Sequence, residues 1–329
     1  MRRLISLPKA LSDAIRAETS RLPKGQLIRA SSRLSLRYRH SGDARRGLQT
    51  EAERLAYIAA RMPATYASVC AALLELRASC PELRVKSVLD LGGGSGSAIW
   101  AASAVWDGIE VSTVVDADEN FLQMGRRLAT GSDVPSVRDA TWIRRNITEA
   151  STIPPHDLVV MSYSLGEIER GYASSVLDAA WQATLKTCVI VEPGSQLGFR
   201  TMLDARAFFM EHGGTIVAPC PGNVPCPLAA LGDWCHFPQR LHRNELHKQA
   251  KDATLPFEDE KYSYTVATKG NHGFVSSGRI VRSPVKLPRH ILLSICAQDG
   301  LNKVDVTKSQ GDAYREARKL LWGDAFAAP

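Results

Sequence analysis

The hydrophobic pattern of the central chain alternates short apolar runs with amphipathic segments. The apolar runs have the length of buried strands, and the amphipathic segments repeat their apolar positions at helical spacing. The predicted strands are 86–91, 111–115, 141–145, 157–162 and 187–191, and the predicted helices are 98–105, 121–129, 172–185 and 199–212. This alternation predicts an α/β fold in which helices cover both faces of a parallel sheet.

The flanking regions have different patterns. Residues 50–79 predict a helix that breaks near Pro63, whereas the Pro-, Cys- and Gly-rich residues 215–240 predict little regular structure. Beyond them, strands are predicted at 262–267, 279–281 and 291–295, and a last helix at 311–321. We therefore divide the chain into a basic, helical N-terminal region (1–82), a Rossmann-like core (83–214) and a Cys-rich, β-rich C-terminal module (215–329).

Composition indicates an ordinary soluble globular protein, with 44% hydrophobic and 23% charged residues. We expect no membrane partner, because no apolar run approaches the roughly 20 residues that span a bilayer. Pro8, Asp13 and Glu18 interrupt the presequence-like pattern of the first residues. The expected location is the cytoplasm of a bacterial-type cell, or the mitochondrial matrix in a eukaryote.

Positive charge is concentrated at the N-terminus. Residues 1–46 hold 12 Lys or Arg and three acids, which gives 12 − 3 = +9 of a total net charge of +7. A basic arm favours a polyanionic partner, since each neutralised phosphate releases a counterion. We therefore favour a nucleic acid, while the alternative is a solvated helical face.

The candidate cofactor site is a glycine-rich turn between the first predicted strand and its helix. Gly92, Gly94 and Gly96 form a G-x-G-x-G pattern after Asp90, whereas a dinucleotide site favours G-x-G-x-x-G. An acid at the strand end suits the ammonium of a methionine moiety and would repel a pyrophosphate. The pattern therefore predicts a Rossmann-like fold that binds S-adenosylmethionine (SAM), as in SAM-dependent methyltransferases.

Residues after the next strands are candidates for the adenosine part. Asp116 ends the second strand, where a carboxylate can accept both ribose hydroxyls, with Asp118 as an alternative. Asn146 follows the third strand and is a candidate for the adenine edge. After the fourth strand, Tyr163 and Glu167 could face a methyl acceptor, but no catalytic base is identified.

A cysteine cluster follows the predicted core. Cys220, Cys226 and Cys235 lie within sixteen residues, which favours a metal site in a reduced compartment. Zinc could use them with His236 or His242, whereas an iron–sulfur cluster would need a fourth thiolate. Cys296 is the remaining downstream cysteine. The spacing leaves zinc and iron–sulfur open.

Six segments together resemble the methyltransferase-like assembly factors of the mitochondrial small ribosomal subunit and their bacterial relatives. The segments are LDLGGGSGS (89–97), SYSLGEI (162–168), VEPGSQLGFRTMLDAR (191–206), APCPGNVPCP with WCHFPQRLHR (218–243), EKYSYTV (260–266) and YREARKLLWGD (314–324). The resemblance covers residues 50–324. One departure is Gly222, where such proteins often have His.

The resemblance implies a [4Fe–4S] cluster held by Cys220, Cys226, Cys235 and Cys296, together with binding to small-subunit rRNA. We therefore expect a SAM-binding, methyltransferase-like protein that methylates this rRNA or assists its assembly. Two alternatives remain open. One is a non-catalytic assembly factor that retains the fold, and the other is a small-molecule methyltransferase with a solvated basic arm.

Overall fold

Two β-sheets organise the protein. The computed structural model describes residues 4–41, 50–149, 153–243, 248, 255–270 and 277–326, with the helical backbone alone for 35–41. The helices are α1 (Lys9–Thr19), α2 (Lys24–Ser41), α3 (Glu51–Ala60), α4 (Met62–Ser79), α5 (Ser97–Val105), α6 (Glu119–Ala129), α7 (Pro135–Arg138), α8 (Arg170–Gln182), α9 (Gln196–Glu211), α10 (Pro227–Ala230) and α11 (Asp312–Ala317).

The strands occur in an α/β series followed by an antiparallel series. They are β1 (Ser87–Leu91), β2 (Val111–Asp116), β3 (Thr141–Arg144), β4 (His156–Ser162), β5 (Thr184–Pro193), β6 (Thr215–Ala218), β7 (Phe237–His242), β8 (Phe257–Thr268), β9 (Gly278–Ile280), β10 (Val285–Leu287), β11 (His290–Ala297), β12 (Gly300–Thr307) and β13 (Ala325–Phe326). Each strand predicted in the central chain is present, with bounds that differ by a few residues.

The larger sheet has the order β3-β2-β1-β4-β5-β8-β6, and β7 pairs with β8. Its first five strands are parallel, whereas β8 runs antiparallel to both β5 and β6. Three strands of this sheet come from beyond residue 214. Strands therefore occur at both ends of 215–240, where little regular structure was expected, because β8 supplies their backbone hydrogen-bond partners.

The smaller sheet is antiparallel and has the order β10-β11-β9-β13, with β12 also paired to β11. Its core contains Ile280, Leu293 and Ile295, against which α11 packs through Ala317. The pairing of Cys296 with Arg279 joins β11 to β9, so this cysteine lies within a sheet rather than on a loop.

Helices cover the two faces of the larger sheet with separate apolar cores. Leu11, Leu27 and Leu55 of the N-terminal helices share one core with Val88 of β1. On the other face, helices α8 and α9 contribute Leu177 and Phe209 to a second core. As expected, the helix breaks near Pro63, because α3 ends at Ala60 and α4 begins at Met62, with this proline in the first turn of α4.

Candidate functional site

The glycine-rich turn joins β1 to α5 at the carboxyl edge of the larger sheet. Gly92, Gly94 and Gly96 have φ angles of +72°, +56° and +82°, which side-chain-bearing residues rarely adopt. A Cβ atom at Gly96 would lie 2.7 Å from the Trp142 ring, and one at Gly92 would lie 2.7 Å from Cβ of Ser164. Close packing and backbone conformation therefore both require glycine at these two positions.

Asp90 lies beneath the turn and is fully buried. Its Oδ2 accepts a hydrogen bond from the Ala98 amide at 3.1 Å, in the first turn of α5. A Cβ atom at Gly93 would lie 2.4 Å from the Asp90 carboxyl carbon, so the carboxylate is pressed against the turn. The structure shows Asp90 bracing the turn, and a contact with a ligand ammonium stays a prediction.

Asp116 and Asp118 have different local partners. Oδ2 of Asp116 accepts the Gly94 amide at 2.8 Å, and its Oδ1 accepts the Asp118 amide at 2.9 Å. Asp118 instead caps the N-terminus of α6, where its Oδ1 accepts the Asn120 amide at 2.9 Å. Asp116 is thus the acid that links the glycine-rich turn to the end of β2.

A cleft of about 570 Å³ opens beside these residues, within the size range of cofactor sites. Its walls include Gly92, Asp116 and Asn146, three of the predicted cofactor residues. Four carboxylates face it from two sides of the sheet edge, and no Lys or Arg is found among the described lining residues. The four are Asp116, Asp118, Glu167 and Glu169. The cleft therefore favours a cationic ligand over a polyanion.

The space directly against the glycine-rich turn is much smaller. About 20 Å³ remains between Gly93 and the side chains of Tyr57, Thr65 and Phe121, which is room for a single water. Tyr57 of α3 packs edge-on against Phe121 of α6, with ring centroids 5.2 Å apart. A ligand that reached from the cleft along the turn would displace these side chains.

Tyr163 and Glu167, the two residues after β4 that could face a methyl acceptor, lie in different surroundings. Tyr163 is buried with a left-handed φ of +53°, and its hydroxyl contacts Ser68 at 3.0 Å and Glu260 at 3.2 Å. Glu260 in turn accepts two hydrogen bonds from Arg61, at 3.0 and 3.3 Å. Glu167 lies in a wall of the cleft. Tyr163 is therefore held in a buried polar network, whereas Glu167 stays a candidate for the acceptor side.

The fold brings the four predicted metal-site cysteines together. Cys226 and Cys235 pack in one apolar cluster with Cys296, and in their ionised forms the thiols of Cys220, Cys226, Cys235 and Cys296 would repel one another. Among the described residues, no group of three or more His, Cys, Asp or Glu side chains is arranged to hold a metal ion as it stands. The ligand assignment accordingly stays a prediction, although Cys296 does reach the loop from β11.

Three arginines that sequence reasoning missed hold the cysteine loop. Arg206 of α9 donates to the carbonyls of Gly222 and Val224, and the buried Arg279 donates to the carbonyl of Pro219 at 3.1 Å. Arg282 pairs with Asp233 beside Cys235. Arg206 is the last residue of the segment VEPGSQLGFRTMLDAR (191–206), and this was the one sign in the sequence of its importance. The positive charge of these arginines would favour the ionised, thiolate form of the cysteines.

Burial raises the pKa of the Cys220 and Cys235 thiols. Burial also raises the pKa of the Cys296 thiol, to about 12. Four clustered thiolates, one buried and three half-buried, would need a cation among them, so this donor set suits a metal centre in chemical terms. The two histidines are placed otherwise. His236 packs between Trp234 and Trp322, and His242 lines a different cavity. Cys296 is therefore a better fourth candidate than His242.

The strand order of the larger sheet identifies the fold class. With β8 reversed between β5 and β6, the larger sheet has the α/β Rossmann-like methyltransferase arrangement. The predicted fold class is thus confirmed. In the described part of the chain, no helix combines the length and the apolarity needed to cross a membrane.

Residues 51–327 match the family described as mitochondrial small ribosomal subunit Rsm22. The chain belongs to the Rsm22 family. Its relatives include the human mitochondrial ribosome assembly protein METTL17, which is 30% identical over 294 residues. The mitochondrial Rsm22-cox11 tandem protein 2 of Schizosaccharomyces pombe is 27% identical over 333 residues. The matches cover 84% of this chain but 62% and 43% of those relatives, so the chain corresponds to part of each.

Solved methyltransferase structures are similar to parts of this Rsm22-family chain, with low sequence identity. Magnesium protoporphyrin IX methyltransferase of Synechocystis, with bound SAH, has 13% identity and a TM-score of 0.39, over 63% of this chain and 82% of that one. The N-methyltransferase NodS of Bradyrhizobium japonicum, also with SAH, has 12% identity and a TM-score of 0.40, over 74% and 99%.

Proposed function

We propose that this Rsm22-family protein binds SAM in the acidic cleft and takes part in small ribosomal subunit assembly through contacts with rRNA. The observation that carries the cofactor proposal is the cleft of about 570 Å³ at the strand ends, with four carboxylates in its walls. The sulfonium and ammonium groups of SAM are cationic, whereas the phosphates of a dinucleotide would be repelled there.

Asp116 is the proposed ribose ligand, and Asn146 the proposed contact of the adenine edge. Gly92, Gly94 and Gly96 let the backbone approach the cofactor, and Asp90 braces them. Because only about 20 Å³ is open against Gly93, binding of the methionine part includes movement of Tyr57 or Phe121.

Calorimetry with SAM tests the cofactor proposal. Asp116→Asn is expected to weaken binding at least tenfold, since one charged hydrogen-bond acceptor is worth roughly 1.5–3 kcal/mol. Asp107→Asn is the matched control, because Asp107 is exposed between α5 and β2. Equal binding by wild type and Asp116→Asn, or no heat with wild type, would reject the SAM site.

The rRNA proposal rests on the basic N-terminal region and on family membership. Arg29 and Arg33 are exposed on α2, whereas Arg45 and Arg46 of the predicted arm lie outside the described residues. Arg29→Glu with Arg33→Glu is expected to reduce the dependence of small-subunit rRNA binding on salt, by a slope of about 0.7–0.9 per lost phosphate contact. Lys303→Glu with Lys308→Glu, the same charge change on exposed residues near the C-terminus, serves as control.

An iron–sulfur cluster on Cys220, Cys226, Cys235 and Cys296 is the proposed structural centre. When bound, it would supply a cross-link between the cysteine loop and β11. Arg206, Arg279 and Arg282 hold that loop in place. In anaerobically purified protein, Cys296→Ser is expected to lose iron and visible absorbance, whereas Cys80→Ser keeps both. Stoichiometric zinc without iron in wild type would replace this assignment.

Methyl transfer is the second candidate activity, favoured by the position of Glu167 in the cleft wall. Transfer of labelled methyl from SAM to isolated small subunits would distinguish a methyltransferase from an assembly factor that only binds SAM. If transfer occurs, Glu167→Gln is expected to lower its rate with SAM affinity largely retained. Tyr163 takes no part in this proposal, because Ser68 and Glu260 hold its hydroxyl.

A further inference from the structure

A second cavity lies among the N-terminal helices and has no part in the function proposed above. It is open to solvent on one side and has a volume of about 740 Å³, more than that of the acidic cleft. Its walls come from α1, the start of α2, the junction of α3 and α4, and the end of β7. Organic ligands occupy cavities of this size.

The interior of this cavity is aliphatic. Its apolar lining residues are Ile5, Leu7, Ile15, Leu22, Leu27, Ala59, Pro63 and Leu241. Two of its hydroxyl groups are satisfied within α1, because Thr19 donates to the Ile15 carbonyl and Ser20 to the Ala17 carbonyl, both at 2.8 Å. Such a surface suits a hydrocarbon chain better than a nucleobase, whose polar edges need hydrogen-bond partners.

The rim of the cavity is basic. Arg16, Lys24 and Arg243 are lining residues, and no Asp or Glu is found among the lining residues that the structure describes. Arg16 and Arg243 make ion pairs of 3.4 Å with Asp13 and Glu258. A guanidinium has five N–H donors, so each arginine can also serve a second anion. The acidic cleft, with four carboxylates, has the opposite charge.

We propose that this cavity binds a single-chain amphiphile with an anionic head group, of which a long-chain fatty carboxylate is the simplest form. The hydrocarbon chain lies on the aliphatic interior, and the head group is held by Arg16, Lys24 and Arg243. A strand of RNA fits less well, because base stacking uses aromatic platforms and the described lining residues offer two aromatic rings, Tyr66 and His242, among mostly aliphatic side chains.

The test uses cis-parinaric acid, a fatty acid whose fluorescence rises in apolar surroundings, with the full chain. We expect saturable binding of one molecule, displaced by hexadecanoate. Hexadecanol, which lacks the charge, and hexanoate, which lacks the long chain, should each compete at least tenfold less well. Loss of one charged contact typically changes affinity by about that factor.

Rim variants separate a built site from nonspecific uptake. Arg16→Gln with Lys24→Gln is expected to weaken binding about tenfold or more, and it should leave the protein folded because both residues are exposed. Lys303→Gln with Lys308→Gln is the charge-matched control. Unsaturable uptake, equal affinity of the rim variant, or displacement by a short single-stranded RNA at the concentrations that hexadecanoate needs would each overturn the proposal.

Discussion

Gly96 shows how a single position of the cofactor turn depends on its neighbours. It combines a φ of +82° with a distance of 2.7 Å from its hypothetical Cβ to the Trp142 ring. Trp142 comes from β3 and also fills the space beside Gly125 of α6. The third glycine of the motif therefore serves packing, whichever ligand the turn accepts.

Substitution of Gly96 by Ala is expected to lower the free energy of unfolding by about 1–3 kcal/mol, since a left-handed alanine is strained and Trp142 must move. Gly108→Ala is the matched control, because a Cβ there would meet no atom within 4 Å. Urea unfolding measures both variants. Similar losses for Gly96→Ala and Gly108→Ala would contradict this packing role.

Arg279 is a buried charge that connects three parts of the chain. It is 1% exposed, pairs with Glu75 of α4, and donates to the carbonyls of Pro219 and Gly323. Nearby Tyr264 and Glu75 raise its pKa against the opposing effect of burial. The guanidinium therefore stays charged and depends on its partners.

Arg279→Met is expected to destabilise the protein by about 3 kcal/mol or more, because Glu75 and two carbonyls lose their donor. Arg138→Met breaks an exposed pair with Asp139 and is expected to cost less than about 1 kcal/mol. Chemical unfolding under identical buffer conditions compares them. If the loss of unfolding free energy is no larger than that of Arg138→Met, the contacts of Arg279 do not stabilise the fold.

At the scale of elements, β4 carries a buried histidine at its start. Nδ1 of His156 donates to the Pro154 carbonyl at 2.7 Å, so in the neutral ring Nε2 accepts from the Thr113 hydroxyl at 3.0 Å. Burial lowers the pKa of His156 in the folded protein. In the unfolded chain, the imidazole titrates near its ordinary pKa of about 6.5.

Stability is therefore expected to fall as the pH drops below about 6.5, because the unfolded chain takes up the proton first. The loss ends once the pH passes the lower pKa of the folded state, and above about 6.5 this contribution is constant. Unfolding free energies between pH 5 and 8 should show a shallower slope for His156→Gln. The exposed His290→Gln is the control, and an unchanged slope in His156→Gln would disprove the assignment.

Helix α3 borders the small space beside Gly93 at the glycine-rich turn. Tyr57 of this helix meets Phe121, and the Met62 sulfur at the start of α4 accepts the Ser95 hydroxyl at 3.5 Å. These contacts place the N-terminal helices directly over the glycine-rich turn. In the proposed SAM complex, entry of the methionine part would therefore depend on the position of α3.

Tyr57→Ala is expected to increase SAM affinity severalfold, because the ring no longer has to be displaced before the methionine part binds. Calorimetry measures the change, and Tyr172→Ala, which alters the outer wall of the cleft, is the control. Weaker binding by Tyr57→Ala would instead show that the ring contacts the cofactor.

Across the whole molecule, clusters of acidic and of basic side chains lie on different elements. The acidic cleft lies at the ends of the parallel strands, whereas α1 and α2 carry exposed basic residues such as Arg16, Arg29 and Arg33. Phosphates would be repelled at the first surface and attracted to the second. Cofactor binding and rRNA binding are therefore expected to use different surfaces.

Asp116→Asn is accordingly expected to weaken SAM binding at least tenfold, while the Kd for small-subunit rRNA changes by less than about twofold, since salt screens distant charges. Filter binding at several salt concentrations, beside calorimetry, measures the two affinities. Arg29→Glu with Arg33→Glu should give the reverse pattern. A parallel loss of both affinities in one variant would mean that the two surfaces act as a single site.

Local patterns along the chain were sufficient to predict the parallel strands β1 to β5 and the glycine-rich turn, because these depend on periodicity and on backbone conformations that favour glycine. They also placed Asp116 and Asn146 at strand ends. Features that depend on contacts between distant segments became visible only in the folded protein. Examples are the insertion of β8 between β5 and β6, the burial of Asp90, and the three arginines on the cysteine loop. The physical reason is that strand pairing, burial and charge neutralisation arise only when such segments meet.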